Sequence, residues 1–324
     1  MRGPTSQRGT ALVTALLVLA MTVTLTADMA GDQHFDIRRT GNLLQLEQAH
    51  QIALGGERWA VAILARDRRG ESAPGQDPIN AEDSGADIDS LDEDWAQPLP
   101  PIPVEGGQIA GEVVDLQGRF NVNNLVVDGA VDALALARFE RLLAALEIEP
   151  GVAQAVVDWL DADSETTFPD GAEDDFYLSR EQPYLAANRP LATVSELRQV
   201  RGMEAEPWRR LRPHVTALPD PVDINVNTAS AAVLQALAPD LDAGTAEQLA
   251  ARAREEPFES SQQFLEEDVL ADRDIEAAGL AVRSSHFRLR AAVLLGRIEY
   301  TLYSWLQRDD NGASRVLRRA RHAD

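Results

Sequence analysis

Residues 1–27 read MRGPTSQRGTALVTALLVLAMTVTLTA, and the fold depends on whether the apolar part of this stretch stays with the protein. Arg2 and Arg8 make a short basic head. Thr10–Ala27 carry no charge over 18 residues, and Asp28 is the first charge after them. A helix rises ~1.5 Å per residue, so the run spans about 27 Å, marginally enough for a bilayer core. The basic head on one side and Asp28 and Asp32 on the other orient it with the N-terminus inside. A secretory signal has a shorter apolar core and a small-x-small cleavage site. Thr26-Ala27-Asp28-Met29-Ala30 is a weak match to such a site, so that alternative stays open.

Outward from the run, the pattern stays helical. Leu43, Leu44, Leu46, Ile52, Leu54, Trp59, Ile63 and Leu64 fall mostly three or four residues apart, a stripe on one face. One helix is therefore expected from the apolar run to about Arg66. Gly70–Gly118 then holds 12 acidic residues and no basic one, with prolines at 98, 100, 101 and 103, and reads as an exposed loop. Ile109, Val113 and Phe120 among glycines predict two short strands with a turn at Gly118. From Ala130 to about Leu280 the chain reads as helices. VDALALARFERLLAALEI and GVAQAVVDWLDAD are amphipathic, Thr193 or Ser195 caps one later segment, and Thr228 or Ser230 caps another. After Ser284, alternation at Phe287, Leu289 and Ala291, and again at Ile298, Tyr300 and Leu302, predicts a hairpin turning near Gly296. Strands flank a long helical block. The fold class is α+β, with a helical domain inserted into a strand-containing one.

Composition narrows the function. The net charge is −23, with 53 acidic residues against 30 basic ones, all arginine, which argues against nucleic acid as a main partner. No cysteine is present, so there is no disulfide and no thiolate metal site. The histidines, His34, His50, His214, His286 and His322, show no metal-binding or catalytic spacing. No nucleophile elbow, P-loop or dinucleotide fingerprint occurs. No catalytic residue set is expected. The basic tail RVLRRARHAD reads as disordered.

The densest chemistry lies in DWLDADSETTFPDGAEDDFY, which carries eight carboxylates from Asp158 to Asp175 and no basic residue. Like charges so crowded repel unless a cation sits among them, and oxygen ligands without His or Cys suit calcium or magnesium. Asp161-x-Asp163-x-Glu165 imitates the start of an EF-hand loop, but Thr166 stands where that loop needs glycine and Ala172 where it needs a bidentate acid. The expected calcium ligands are Asp161, Asp163, Asp170, Glu173 and Asp174. A merely acidic loop is the alternative. INVNTASAAVLQAL is similar to the opening of helix-hairpin-helix modules, some of which bind DNA. Its turn APDLDAG has two aspartates and no basic residue, which removes or reverses a phosphate site. The segment therefore reads as a structural helix pair; a membrane-tethered DNA-uptake binder is kept as the alternative function against this charge, and a calcium-dependent hydrolase lacks any residue set to perform it.

Arg8-Gly9-Thr10 ahead of the apolar run resembles the leader of type IV prepilins and type II secretion pseudopilins. That resemblance implies cleavage after Gly9, Thr10 as the first mature residue and retention of the apolar helix. Mature position five is then Thr14, where most of these proteins carry glutamate. GGQIAGEVVDLQGRFNVNNL, AVVDWLDADSETTFPDGAEDDFY, YLAANRPLATVSELRQVRGM and INVNTASAAVLQAL, in this order, resemble the protein K family of the general secretion pathway. The resemblance spans nearly the whole chain. It implies a pseudopilin fold with leader 1–9, a transmembrane and bundling helix 10–66, a pseudopilin domain from 67–128 and 282–324, and an all-helical insertion 129–281. It further implies calcium in the acidic loop and a structural, non-catalytic role at the tip of a periplasmic pseudopilus. Minor pseudopilins I and J are the implied partners, with pseudopilin H and the major pseudopilin as further contacts. The implied location is the inner membrane, single-pass, with the C-terminal part in the periplasm. Thr10 departs from the large apolar residue usual at the first mature position, which bears on the efficiency of processing and methylation.

Overall fold

A computed structural model describes residues 8–71, 87–271 and 273–321. Arg2, the acidic positions between 72 and 86 and His322 lie outside the described residues. One helix, α1 (Arg8–Arg68), runs unbroken through 61 residues, glycines 41, 55 and 56 included. Its C-terminal half lies on a five-stranded antiparallel sheet. In spatial order the strands are Leu99–Val104, Gly107–Asp115, His286–Leu295, Ile298–Arg308 and Ser314–Arg321. The residues of α1 facing the sheet are mostly small: Ala49, Ala53 and Ala60, then Ile63 and Leu64. Gly56 extends this seam, because a Cβ there would stand 2.9 Å from Ile109 Cδ1. The apolar stripe read from the sequence is only partly this face. Leu43 and Leu44 are 58% and 67% exposed, and Trp59 is also exposed. Alanines and Gly56 let the middle of α1 approach the sheet closely, and Ile63 and Leu64 fill the wider gap at its end.

The hairpin near Gly296 forms as expected. Gly296 has φ +59°, and Phe287, Leu289, Ala291, Tyr300 and Leu302 are all buried. Two expectations need correcting. Prolines 100, 101 and 103 lie in an edge strand, where a missing N–H costs no ladder bond, and not in an open loop. The arginine-rich tail is a strand through Arg321, paired to Ile298–Arg308 and held by Arg318, whose Cζ sits 3.8 Å from the Trp305 ring centroid. Gly118 serves close approach, since a Cβ there would lie 2.5 Å from the Thr228 carbonyl oxygen.

A second hydrophobic core draws on residues from Phe120 to Val282. Its helices are α2 (Ala133–Ala145), α3 (Val152–Leu160), α4 (Asp174–Leu178), α5 (Ala205–Leu211), α6 (Ala231–Gln235), α7 (Ala243–Glu255) and α8 (Ser261–Leu265). Asp132 caps α2, Ser230 caps α6, and Thr193 with Glu196 forms a capping box. The unit is not wholly helical. Phe120–Asn121 pairs with Val215–Thr216, Val126–Val127 with Ala130–Val131, and Ile224–Asn225 with Leu280–Ala281. Short apolar pairs like these have too few residues to show a period in the sequence.

Buried polar groups bind the two units together. The Asp115 carboxylate accepts from Gln117 N, Ser284 Oγ, Thr228 Oγ1 and Asn225 Nδ2. Burial raises this carboxyl to about 6 even though those donors favour the anion. Arg308 donates to Leu64 O, to the Asp67 and Asp89 carboxylates and to Ser284 O, so one guanidinium ties the end of α1, the 87–96 segment and the sheet.

No helix among the described residues is long and apolar enough to cross a membrane. Side chains of the apolar run are described as far as Thr26, and its threonines lower its hydropathy. Their hydroxyls donate back to helix carbonyls: Thr14 to Thr10 O, Thr22 to Val18 O, Thr24 to Ala20 O and Thr26 to Thr22 O. Each hydroxyl is thereby satisfied within the helix.

Candidate metal centre

The acidic loop links α3 to α4 and rests on buried aromatics. The Trp159 and Tyr177 rings meet edge-on at 5.2 Å between centroids, and Tyr184 stacks on Tyr177 at 5.3 Å. Asp158, fully buried at the end of α3, accepts Thr167 N with both carboxylate oxygens at 3.1 Å. Gly171 is needed beside it, since a Cβ there would stand 2.2 Å from Asp158 Oδ2. Arg201 Nη1 donates to Gly171 O at 3.0 Å and to Asp170 O at 3.4 Å, which holds the loop's second half.

Within this frame Asp161, Asp163 and Glu173 each turn a carboxylate oxygen inward, all within 4.8 Å of one another. Asp161 Oδ1 and both oxygens of Glu173 are buried and accept no hydrogen bond. Asn188 adds a fourth such atom. Its Nδ2 donates to Asp163 O at 2.7 Å, while its Oδ1 is buried and unsatisfied. Burial raises Asp161 to about 6, and the charges of Asp163 and Asp158 add to the shift. Burial, then Asp158, Asp161 and Asp174, raises Glu173 to about 7. Buried acceptors without donors are costly, and a hard cation satisfies them all at once. The residues present therefore fit such an ion.

Two of the five expected ligands stand apart from this group. Asp174 Oδ1 accepts Ala186 N at 2.9 Å and so secures the 184–188 segment. The Asp170 carboxylate lies where a side chain at Gly151 would be, and its N–H donates to Gln154 Oε1. Two contributors were missed in the sequence. Asp158 reads as one acid among eight. Asn188, 15 residues beyond Glu173, is marked only by its φ of +45°, a conformation asparagine tolerates.

The remaining candidates are simply located. Gly9, Thr10 and Thr14 all lie on α1, with Thr10 and Thr14 exposed. At the helix-hairpin-helix-like segment, Asp242 caps α7 by accepting Thr245 N at 3.0 Å. An aspartate thus occupies the helix start where a phosphate would bind.

Two family models, both described as Type II secretion system (T2SS), protein K, match residues 118–220 and 224–283. The type II secretion system protein K of Pseudomonas aeruginosa is 38% identical over 318 residues, which is 97% of this chain and 92% of that one. This chain belongs to the type II secretion system protein K family. The Klebsiella pneumoniae protein K is 34% identical over 328 residues, covering 97% and 96%. A solved GspK–GspI–GspJ complex from enterotoxigenic Escherichia coli superposes with TM-score 0.74 at 28% identity, over 88% of this chain and all of that one. The protein K match includes the acidic loop with Asp161, Asp163, Glu173 and Asn188.

Proposed function

We propose that this chain is a minor pseudopilin that caps the tip of a type II secretion pseudopilus and starts its assembly for export across the outer membrane. The observation carrying this reading is the division of labour along α1. Residues 49–64 pack on the sheet, while Leu12, Leu16, Leu17, Leu43 and Leu44 are exposed in the isolated chain and want neighbours. Minor pseudopilins I and J are the proposed neighbours, with pseudopilin H and the major pseudopilin below, and the complex formed by the solved relative supports that choice. A unit as large as 129–281 fits at one end of a filament and not along its length. The leader 1–9 is cut after Gly9, and Thr10–Ala27 stays in the inner membrane with the remainder periplasmic. Thr14, satisfied within its own helix, needs no partner above it, as suits the last subunit. Residues 67–128 and 282–324 form the pseudopilin domain. Calcium, held by Asp161, Asp163, Glu173 and Asn188, offsets part of the acidic loop's charge and braces the inserted unit. The role is mechanical, not catalytic.

Deletion of the gene is the test. Secreted enzymes are expected to accumulate in the periplasm and to leave it again on complementation. Normal secretion in the deletion strain overturns the proposal.

A further inference from the structure

Phe120, Leu134, Val222 and Ile224 wall a cleft of about 220 Å³ in the second unit, between the start of α2 and the segments 221–224 and 278–279. Arg138 lines it too, four residues after Leu134 and so on the same face of α2. This arginine is 4% exposed. Among the described residues only its Nη2 has an acceptor, Glu276 O at 2.8 Å, and its buried Nε has none. Nη1 rests against Gly279, where a Cβ would stand 2.7 Å from it. Burial, then the neighbouring Arg141, lowers the pKa of this guanidinium, and Glu276, Asp132 and Asp223 oppose the shift. A buried guanidinium keeps its charge and is costly while its donors lack acceptors.

Two carboxylates share the cleft, Asp132 and Asp223. Asp132 Oδ1 accepts Ala135 N at 2.8 Å as the cap of α2. Asp223 is exposed, and no described group donates to its carboxylate. The lining therefore offers a buried cation, acids apart from it and an apolar wall. We propose that this cleft binds one free α-amino acid with a branched apolar side chain, of leucine size. Its carboxylate pairs with the Arg138 guanidinium, its ammonium with Asp223, and its side chain packs on Phe120, Leu134 and Val222. The two acids disfavour a ligand that is only an anion, and Arg138 with Arg141 disfavours one that is only a cation, so a zwitterion fits best. The space falls below the ~300–1,000 Å³ of drug-sized sites, which points to a single residue and not to a peptide or a nucleotide. Phe120 and Gly279 stand near the two ends of the segment that builds the second core, so the bound amino acid fastens that unit where the chain enters and leaves it. The cleft shares no residue with the candidate cation site or with α1, and the proposal is independent of the role proposed above.

Equilibrium dialysis of the full-length protein in detergent against radiolabelled L-leucine tests this. Saturable retention of the label is expected. Unlabelled L-leucine is expected to displace it at least about tenfold better than leucinamide, which lacks the carboxylate, or 4-methylpentanoate, which lacks the ammonium. Asp223→Asn alters one exposed side chain and is expected to keep the wild-type circular dichroism. It is expected to bind leucine about tenfold more weakly, with no loss of affinity for 4-methylpentanoate. No saturable retention of leucine, displacement by either analogue as effective as by leucine, or wild-type leucine affinity in Asp223→Asn overturns the proposal.

Discussion

Glu173 is 4% exposed, and neither of its carboxylate oxygens has a donor. Burial outweighs the one backbone N–H, that of Asp174, that favours its anion, so the residue reports on an ion more directly than its exposed neighbours. At a hundredfold excess over its dissociation constant, calcium stabilises the folded chain by about 2.7 kcal/mol, or ~5–10 °C in Tm. Wild type is expected to show that rise in a calorimetric scan with calcium against chelator. Glu173→Gln is expected to lose most of it, and Asp174→Asn to keep it, because Asp174 stands outside the group. Glu93 makes a different prediction. Its Oε1 is buried without a donor, and burial followed by the charge of Asp67 raises its carboxyl from 4.5 to about 9. The folded-state value lies above the unfolded one, so this group's contribution is greatest below about pH 4.5 and is lost as pH rises towards 9. Asp89, Arg308, Ser90 and Trp95 face the same junction. Thermal melts at pH 6 and pH 9 are expected to show wild type losing Tm relative to Glu93→Gln, at about 2–4 °C per kcal/mol.

Among the elements, α1 and the sheet depend on Arg308 as much as on their apolar seam. Its guanidinium meets Asp67, Asp89 and two carbonyls out of contact with water. Arg308→Gln leaves two carboxylates uncompensated and is expected to cost about 3–5 kcal/mol in urea unfolding, as removal of one buried partner does elsewhere. Legibility in the sequence followed the strength of periodicity. The hairpin of Phe287–Leu302 alternates cleanly and could be read. The strand Leu99–Val104 could not, because its prolines mimic a loop. Ser314–Arg321 could not either, because its order comes from pairing and from Trp305 beneath Arg318, neither of which its own residues advertise. The candidate cation site was half legible. Asp161-x-Asp163 is local, and Glu173 follows ten residues later beyond the turn at 168–170, but Asn188 arrives from another segment. Among eight acids, the sequence cannot separate a structural one such as Asp158 from a ligand.

For the whole molecule, the proposed role requires that α1 be anchored, that the sheet carry it and that a cation brace the bulky second unit. The exposed face of α1 supplies a prediction at this scale. Leu43→Asp with Leu44→Asp, both side chains facing solvent in the isolated chain, is expected to leave Tm within about 2 °C of wild type. The same change is expected to weaken co-purification with minor pseudopilins I and J at least tenfold. Retention of the helix is the claim on which everything else rests, and intact mass of the protein from a host with its prepilin peptidase tests it most directly. The account predicts a chain beginning at Thr10, with or without one added methyl group. A chain beginning near Asp28 or Ala30 would contradict it, because α1 would then have lost its anchor and the protein could not be a pseudopilus subunit.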